Sequence, residues 1–194
     1  MTVAQVKSPP LLMETTGSKI AGVTGMMFGA IGGGIGGGIQ ASMMESNGRE
    51  LQEKCNLPNY GDRVFKQFVD RIPKEVTGWP QIAIKDTPLS EDAAVSKEYA
   101  LIVKLNQLKV SDGSGLSAWT TAKLRSPKGA VLWEKTIKYE SKKSNRQCDI
   151  EILKADHGKL LREEYEFAIL STVSLLIDDL NGNPTKPMVN EKGL

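Results

Sequence analysis

The residues able to do chemistry are few. His157 is the one imidazole in the chain, next to Asp156 and nine positions after Cys148. A thiol and an imidazole make a nucleophile–base pair only if the fold brings them within hydrogen-bond reach. The favoured reading of His157 is instead a solvent-facing side chain near the start of a long helix. Asp178-Asp179 is a carboxylate pair, but adjacent helical positions diverge by about 100° and do not share a site. It reads as a solvated edge near a helix end, where negative charge is mildly unfavourable. Gly32-x-Gly34-x-x-Gly37 matches the dinucleotide fingerprint. That chemistry needs a preceding strand, a tight turn and a helix N-terminus against pyrophosphate, and the match lies inside a glycine tract without that context. One His and two Cys exclude a Cys/His zinc cluster. No catalytic residue, metal ligand or small-molecule cofactor is expected.

Two further groups invite a functional reading. Lys123, Arg125, Lys128, Lys135, Lys138, Lys142, Lys143 and Arg146 cluster in sequence, with Trp119, Trp133 and Tyr139 among them. A basic surface with interleaved aromatics suits nucleic acid or anionic headgroups. Glu134 and Glu140 dilute it, and lysines on a sheet edge also guard against edge pairing. A solvated face is preferred, an anionic membrane or partner second and nucleic acid last. Cys55 and Cys148 are either a disulfide or two thiols. Paired, they close a loop of about 90 residues, worth about 4–5 kcal/mol in the chain-entropy model, and imply an oxidising compartment. Unpaired, they read as buried thiols.

The elements that must position these residues follow from the rest of the chain. Its 194 residues carry 40% apolar and 25% charged side chains with a net charge of +2. That composition excludes a disordered chain, and the charge is too small to argue for a nucleic-acid protein. A chain of this length buries about 70% of its unfolded surface. Residues 1–19 read as an extended lead-in in which Pro9-Pro10 forbids a helix and Val3–Val6 permits a short strand; Met1–Pro10 does not read as a signal peptide. Residues 45–57 are charged and helix-compatible. Asn59 or Asp62 can cap a helix whose apolar face is Val64, Phe65, Phe68, Val69 and Ile72, ended by Pro73. A short strand follows near Gln81–Asp86. Tyr99, Leu101, Val103 and Leu105 then alternate to one face, Asp112–Gly115 is a turn, and strands 118–125 and 130–139 flank a Ser-Pro-Lys-Gly hairpin turn. In the last strand Val131, Trp133, Ile137 and Tyr139 share a face, interrupted by Lys135. The segment 150–180 reads as a helix whose second half, Phe167–Ile177, is apolar nearly all round and should be deeply buried. The expected fold is an α+β two-layer sandwich: a mixed, mostly antiparallel sheet with helices on one face, preceded by a glycine-zipper helical segment. The expected organisation is 1–19 lead-in, 20–57 glycine-zipper segment, 58–182 α/β domain and 183–194 tail.

The most informative stretch holds 25 residues without charge, between Lys19 and Glu45. Within it Gly25, Gly29, Gly33 and Gly37 recur every fourth position, extended by Ala21 and Ala41, among Met27, Phe28, Ile31, Ile35 and Ile39. At helical pitch this makes a smooth stripe on one side. Nine glycines in 24 residues each disfavour a solvated helix by about 1 kcal/mol. A helix here therefore calls for lipid or protein pressed against the stripe.

A glycine-zipper run (Gly25-MMF-Gly29-AIG-Gly33-GIG-Gly37) ahead of a small strand–helix–sheet–helix domain resembles bacterial cell-envelope lipoproteins; residues 60–180 resemble the small α/β domains of periplasmic assembly and secretion-associated lipoproteins. There is no lipobox cysteine near residue 1, so lipid attachment is only what the resemblance implies, and no catalytic residues carry over. The expected function is a non-enzymatic envelope structural or assembly component on the periplasmic side. Its expected partners are other envelope proteins or a second copy, with membrane contact. The alternative is a soluble, cytoplasmic or other, binding domain that takes an anionic ligand or nucleic acid through Lys123–Arg146.

Overall fold

The computed structural model describes residues 2–6, 8–15, 29–76, 83–84 and 99–182, with side-chain surroundings in the first helix from Gln40 onward. The elements in chain order are β1 (Thr2–Gln5), β2 (Leu12–Glu14), α1 (Gly29–Lys54), α2 (Tyr60–Glu75), β3 (Ala83–Ile84), β4 (Ala100–Ser111), β5 (Gly115–Arg125), β6 (Val131–Glu140) and α3 (Ile150–Leu180). The fold is α+β: a mixed six-stranded sheet of order β3-β1-β4-β5-β6, with β2 also on β4, packed against the helices.

The lead-in segment supplies two strands of this sheet. β1 pairs in parallel with β4, Thr2 opposite Ala100, and β2 pairs in parallel with the other end of β4, Leu12 opposite Lys109. Between them fall Pro9 and Pro10, which have no amide hydrogen to give to a ladder, so the edge is interrupted there. β4, β5 and β6 form an antiparallel meander. Alternation sends Leu101, Val103, Leu105, Leu116, Ala118, Leu124, Ile137 and Tyr139 into the core. Tyr99, expected on that face, is 38% exposed beyond the strand end. Val131 also leaves it, because an irregularity between Leu124 and Arg125 shifts the register.

Asn59 caps α2 by accepting a hydrogen bond from the Asp62 amide at 3.1 Å. Pro73 lies inside the last turn of α2 rather than ending it. The buried side of α2 (Val64, Phe65, Phe68, Ile72) meets Leu161, Tyr165, Ile169, Val173 and Leu176 of α3. Arg63 to Glu166 (2.6 Å) and Arg71 to the Ser174 hydroxyl (2.9 Å) tie the two helices at their rim. α3 is not apolar all round in its packing, contrary to expectation. Phe167 and Leu170 are 39% and 45% exposed, because two layers give the helix only one face to bury.

α1 is a single helix that includes the charged segment after the glycine run. Its root is held by contacts that leave no room for a side chain. A Cβ on Gly48 would lie 1.9 Å from the Leu11 carbonyl oxygen, so helix and β2 backbone touch directly. At the end of α1, Cys55 packs against Gly158, where α3 is interrupted by left-handed residues (Asp156 φ 51°, His157 φ 52°, Gly158 φ 74°). Arg162 then donates to the carbonyls of Cys55 (2.9 Å) and His157 (2.5 Å), satisfying an acceptor that a helix end leaves orphaned.

Candidate functional site

Gly29, Gly33 and Gly37 lie in α1, as does the whole Gly32–Gly37 fingerprint match. With Gly32–Gly37 itself helical, the match does not form the tight turn a pyrophosphate cradle needs. Gly25 lies outside the described residues. Gly48 follows Gly37 by eleven positions, about three helical turns, so the two glycines lie on the same side of the helix, with Met44 between them.

Cys55 and Cys148 are free thiols, so the disulfide alternative is corrected. Cys55 is buried between α1 and Gly158, whereas Cys148 lies in the loop before α3 and donates to the Arg146 carbonyl at 3.3 Å. Burial pushes both thiols up, and for Cys148 the nearby Glu164 adds to the effect. Neither favours a thiolate nucleophile, and His157 is exposed in its left-handed turn. Among the described residues no group of His, Cys, Asp and Glu could hold a metal ion.

The charged patch divides into three. Lys123, Arg125 and Lys138 lie on the sheet face turned away from the helices, with Trp119 beside Lys138, whose ammonium is 4.4 Å from the indole centroid. Lys123 also meets Glu134 at 3.3 Å. On the same face Asn106 donates to Thr121 (2.6 Å), which shares a hydrogen bond with Thr136 (2.7 Å). A cleft of about 380 Å³ beside Trp119 is lined by Pro9, Pro10, Leu12 and residues 106–108. Lys142 and Lys143 sit at the far end of β6, in the short turn after it. Arg146 is not part of a basic surface: its guanidinium turns inward to Glu164 at 2.6 Å and stacks over Phe167.

That inward turn belongs to a cluster the sequence reading missed. Glu164 is 2% exposed, and its carboxylate accepts from the Tyr139 hydroxyl, from Ser141 Oγ (2.6 Å) and from Arg146 Nε (2.6 Å). Ser141 Oγ also accepts from the Leu116 amide at 3.0 Å. The arrangement joins β5, β6 and α3 around one buried charge. With Tyr139 and Ser141 both 0% exposed, it acts as a clip between the layers. Its sequence signal was Glu164's position in the Leu161–Tyr165–Ala168 helical phase, where a charge is out of keeping with its neighbours. Asp179 is a second cross-layer acceptor rather than a solvated edge, binding Lys135 Nζ (2.6 Å) and Trp133 Nε1 (2.8 Å). Burial opposes its ionisation, but these two donors together hold its carboxyl below the ordinary value. Asp178 is the exposed member of the pair.

No family model matches the chain, and no curated protein matches it. Among solved structures it is similar to a Xanthomonas campestris protein of the DUF330 family, with 13% identity and a TM-score of 0.32. That match covers 63% of this chain and 64% of that one, less than two thirds of its length.

Proposed function

We propose that the protein is a non-enzymatic structural or assembly component of the cell envelope. In this reading the α/β body faces the periplasm and holds a charge-free, glycine-striped helix against a membrane, a neighbouring envelope subunit or a second copy. The observation that carries it is the mounting of α1. Its root is fixed by Gly48 on Leu11 and by Arg162 on the Cys55 carbonyl. N-terminal to that root the chain is helical from Gly29 despite a glycine content that disfavours a solvated helix. Such a helix gains most where a flat partner closes on it. No described helix is long and apolar enough to cross a membrane, so packing against a surface or subunit is preferred to spanning. The engagement of Glu164 and Asp179 in cross-layer bonds supports a body used as a support rather than for catalysis.

The test is Gly29→Leu and Gly33→Leu in the full chain, reading sedimentation mass. Loss of assembly is expected; unchanged mass overturns the reading. One observation favours the alternative of a soluble domain that binds an anionic ligand or nucleic acid: Lys123, Arg125 and Lys138 share the open sheet face with Trp119. Binding by that face would fall steeply with salt and be lost on charge reversal at Lys123 and Lys138.

A further inference from the structure

We propose that the tip of the β5–β6 hairpin is a shallow insertion element that docks the molecule on an anionic bilayer surface. It rests on the envelope reading for the presence of a bilayer, but uses a surface that reading does not involve. Val131 and Leu132, at 49% and 53%, are the most exposed large apolar side chains among the described residues, and they are adjacent. The turn that precedes them, at the apex of the hairpin, is pinned. The Ser126 amide donates to the Ala130 carbonyl (2.8 Å), the Gly129 amide to the Ser126 carbonyl (2.8 Å), and the Ala130 amide to Ser126 Oγ (3.1 Å). The apolar pair is thus presented by an ordered hairpin. Tyr99 is at the same end of the sheet, since Ala100 lies opposite Arg125 and Arg125 opposite Val131.

Charge selects the occupant. From Thr120 to Trp133 the chain carries Lys123, Arg125 and Lys128 and no acid. Glu134, on Lys123, is on the rung beyond Trp133, away from the tip. Exposed apolar side chains flanked by cations, with Lys128 in the turn and Arg125 opposite Val131, match the boundary between acyl chains and anionic headgroups, where aromatic rings also settle. A second exposed apolar patch, Leu160, Phe167 and Leu170 on α3, is interleaved with Glu163 and Glu166, so acids border it where the tip has none. The direction of α1 agrees. Gly48 lies on Leu11, and Leu51 and Lys54 share a cleft with Met13 and Thr15. α1 therefore runs in the same sense as β2, and its charge-free half leads back toward the hairpin-tip end of β4.

The experiment is co-sedimentation of the full chain with vesicles of phosphatidylglycerol and phosphatidylcholine, and of phosphatidylcholine alone. Binding is expected only to the anionic vesicles. Leu132→Asp should weaken it at least about tenfold and Lys128→Ala about fivefold, with melting transitions unchanged because both side chains are exposed. Gly33→Leu should still bind. No binding, equal binding to both vesicles, unaltered binding of Leu132→Asp, or sedimentation with single-stranded oligonucleotide but not with vesicles each overturns the proposal. Loss confined to Gly33→Leu overturns the hairpin and leaves the envelope reading standing. Loss confined to Leu132→Asp, with assembly mass indifferent to Gly33→Leu, supports the hairpin and removes the glycine-stripe reading.

Discussion

Tyr139 at the end of β6 and Glu164 in α3 meet by a direct hydrogen bond in the interior, 0% and 2% exposed. Removing the carboxylate leaves the Tyr139, Ser141 and Arg146 donors facing an apolar hole. Glu164→Ala is expected to cost about 3–5 kcal/mol. Tyr139→Phe, which leaves Glu164 two donors, should cost about 1–2 kcal/mol. Urea denaturation of both variants measures the difference, and equal stabilities would show that the clip is not what joins the layers.

Asp179 makes stability depend on acid. Its carboxyl is held below the ordinary value in the fold, so its contribution is complete above the unfolded value of about 3.9 and is lost as pH falls through the folded one. Asp179→Asn should be about 1–2 kcal/mol less stable at neutral pH. Thermal unfolding across a pH series should show the gap between the two proteins closing as pH falls below the unfolded value, and a constant gap would contradict the assignment.

Gly48→Ala opposes two effects. Alanine favours a helix by about 1 kcal/mol, but its Cβ would sit 1.9 Å from the Leu11 carbonyl oxygen. Backbone cannot swing away as a side-chain tip can, so sterics should win and the net cost is about 2–3 kcal/mol. Faster amide exchange in β2 would accompany it.

Gly158→Ala and Gly113→Ala form a matched pair. Both glycines have positive φ, 74° and 72°, but a Cβ on Gly158 would lie 2.4 Å from Cys55 Sγ, whereas one on Gly113 meets nothing within 4 Å. Gly113→Ala should cost about 1 kcal/mol from backbone conformation alone. Gly158→Ala should cost about 2–4 kcal/mol. Comparable melting temperatures would mean that α3 yields at its break.

Much of the body was legible because its signals are local. The alternation of Leu101, Val103 and Leu105, the Ser126–Gly129 turn, the Asn59 cap and the apolar face Val64–Ile72 each describe one element, and together they imply two layers. What stayed hidden depended on pairing across the chain. The three residues of β2 are too few for a periodic signal and are strand only because Lys109–Ser111 lies beside them. Lys135, which looked like a break in an apolar face, keeps its place there because Asp179 on another layer receives it. Arg146 read as surface charge because its sequence neighbours are basic, and nothing local points to Glu164. The cysteines were undecidable from spacing, since only the packing of Cys55 under Gly158 separates them.

The parallel pairing of β1 with β4 sets Thr2 opposite Ala100. Apart from the two-residue β3, a ribosome must therefore release nearly half of the chain after the first strand before its long partner exists. Contacts so distant in sequence slow folding. Throughout that delay the uncharged stretch ahead of Glu45 is already synthesised while the sheet that anchors its root does not yet exist. Biogenesis of this molecule should therefore be most sensitive to chaperone supply during that interval, and pulse-chase proteolysis of stalled nascent chains ending before and after residue 125 would reveal when protection begins.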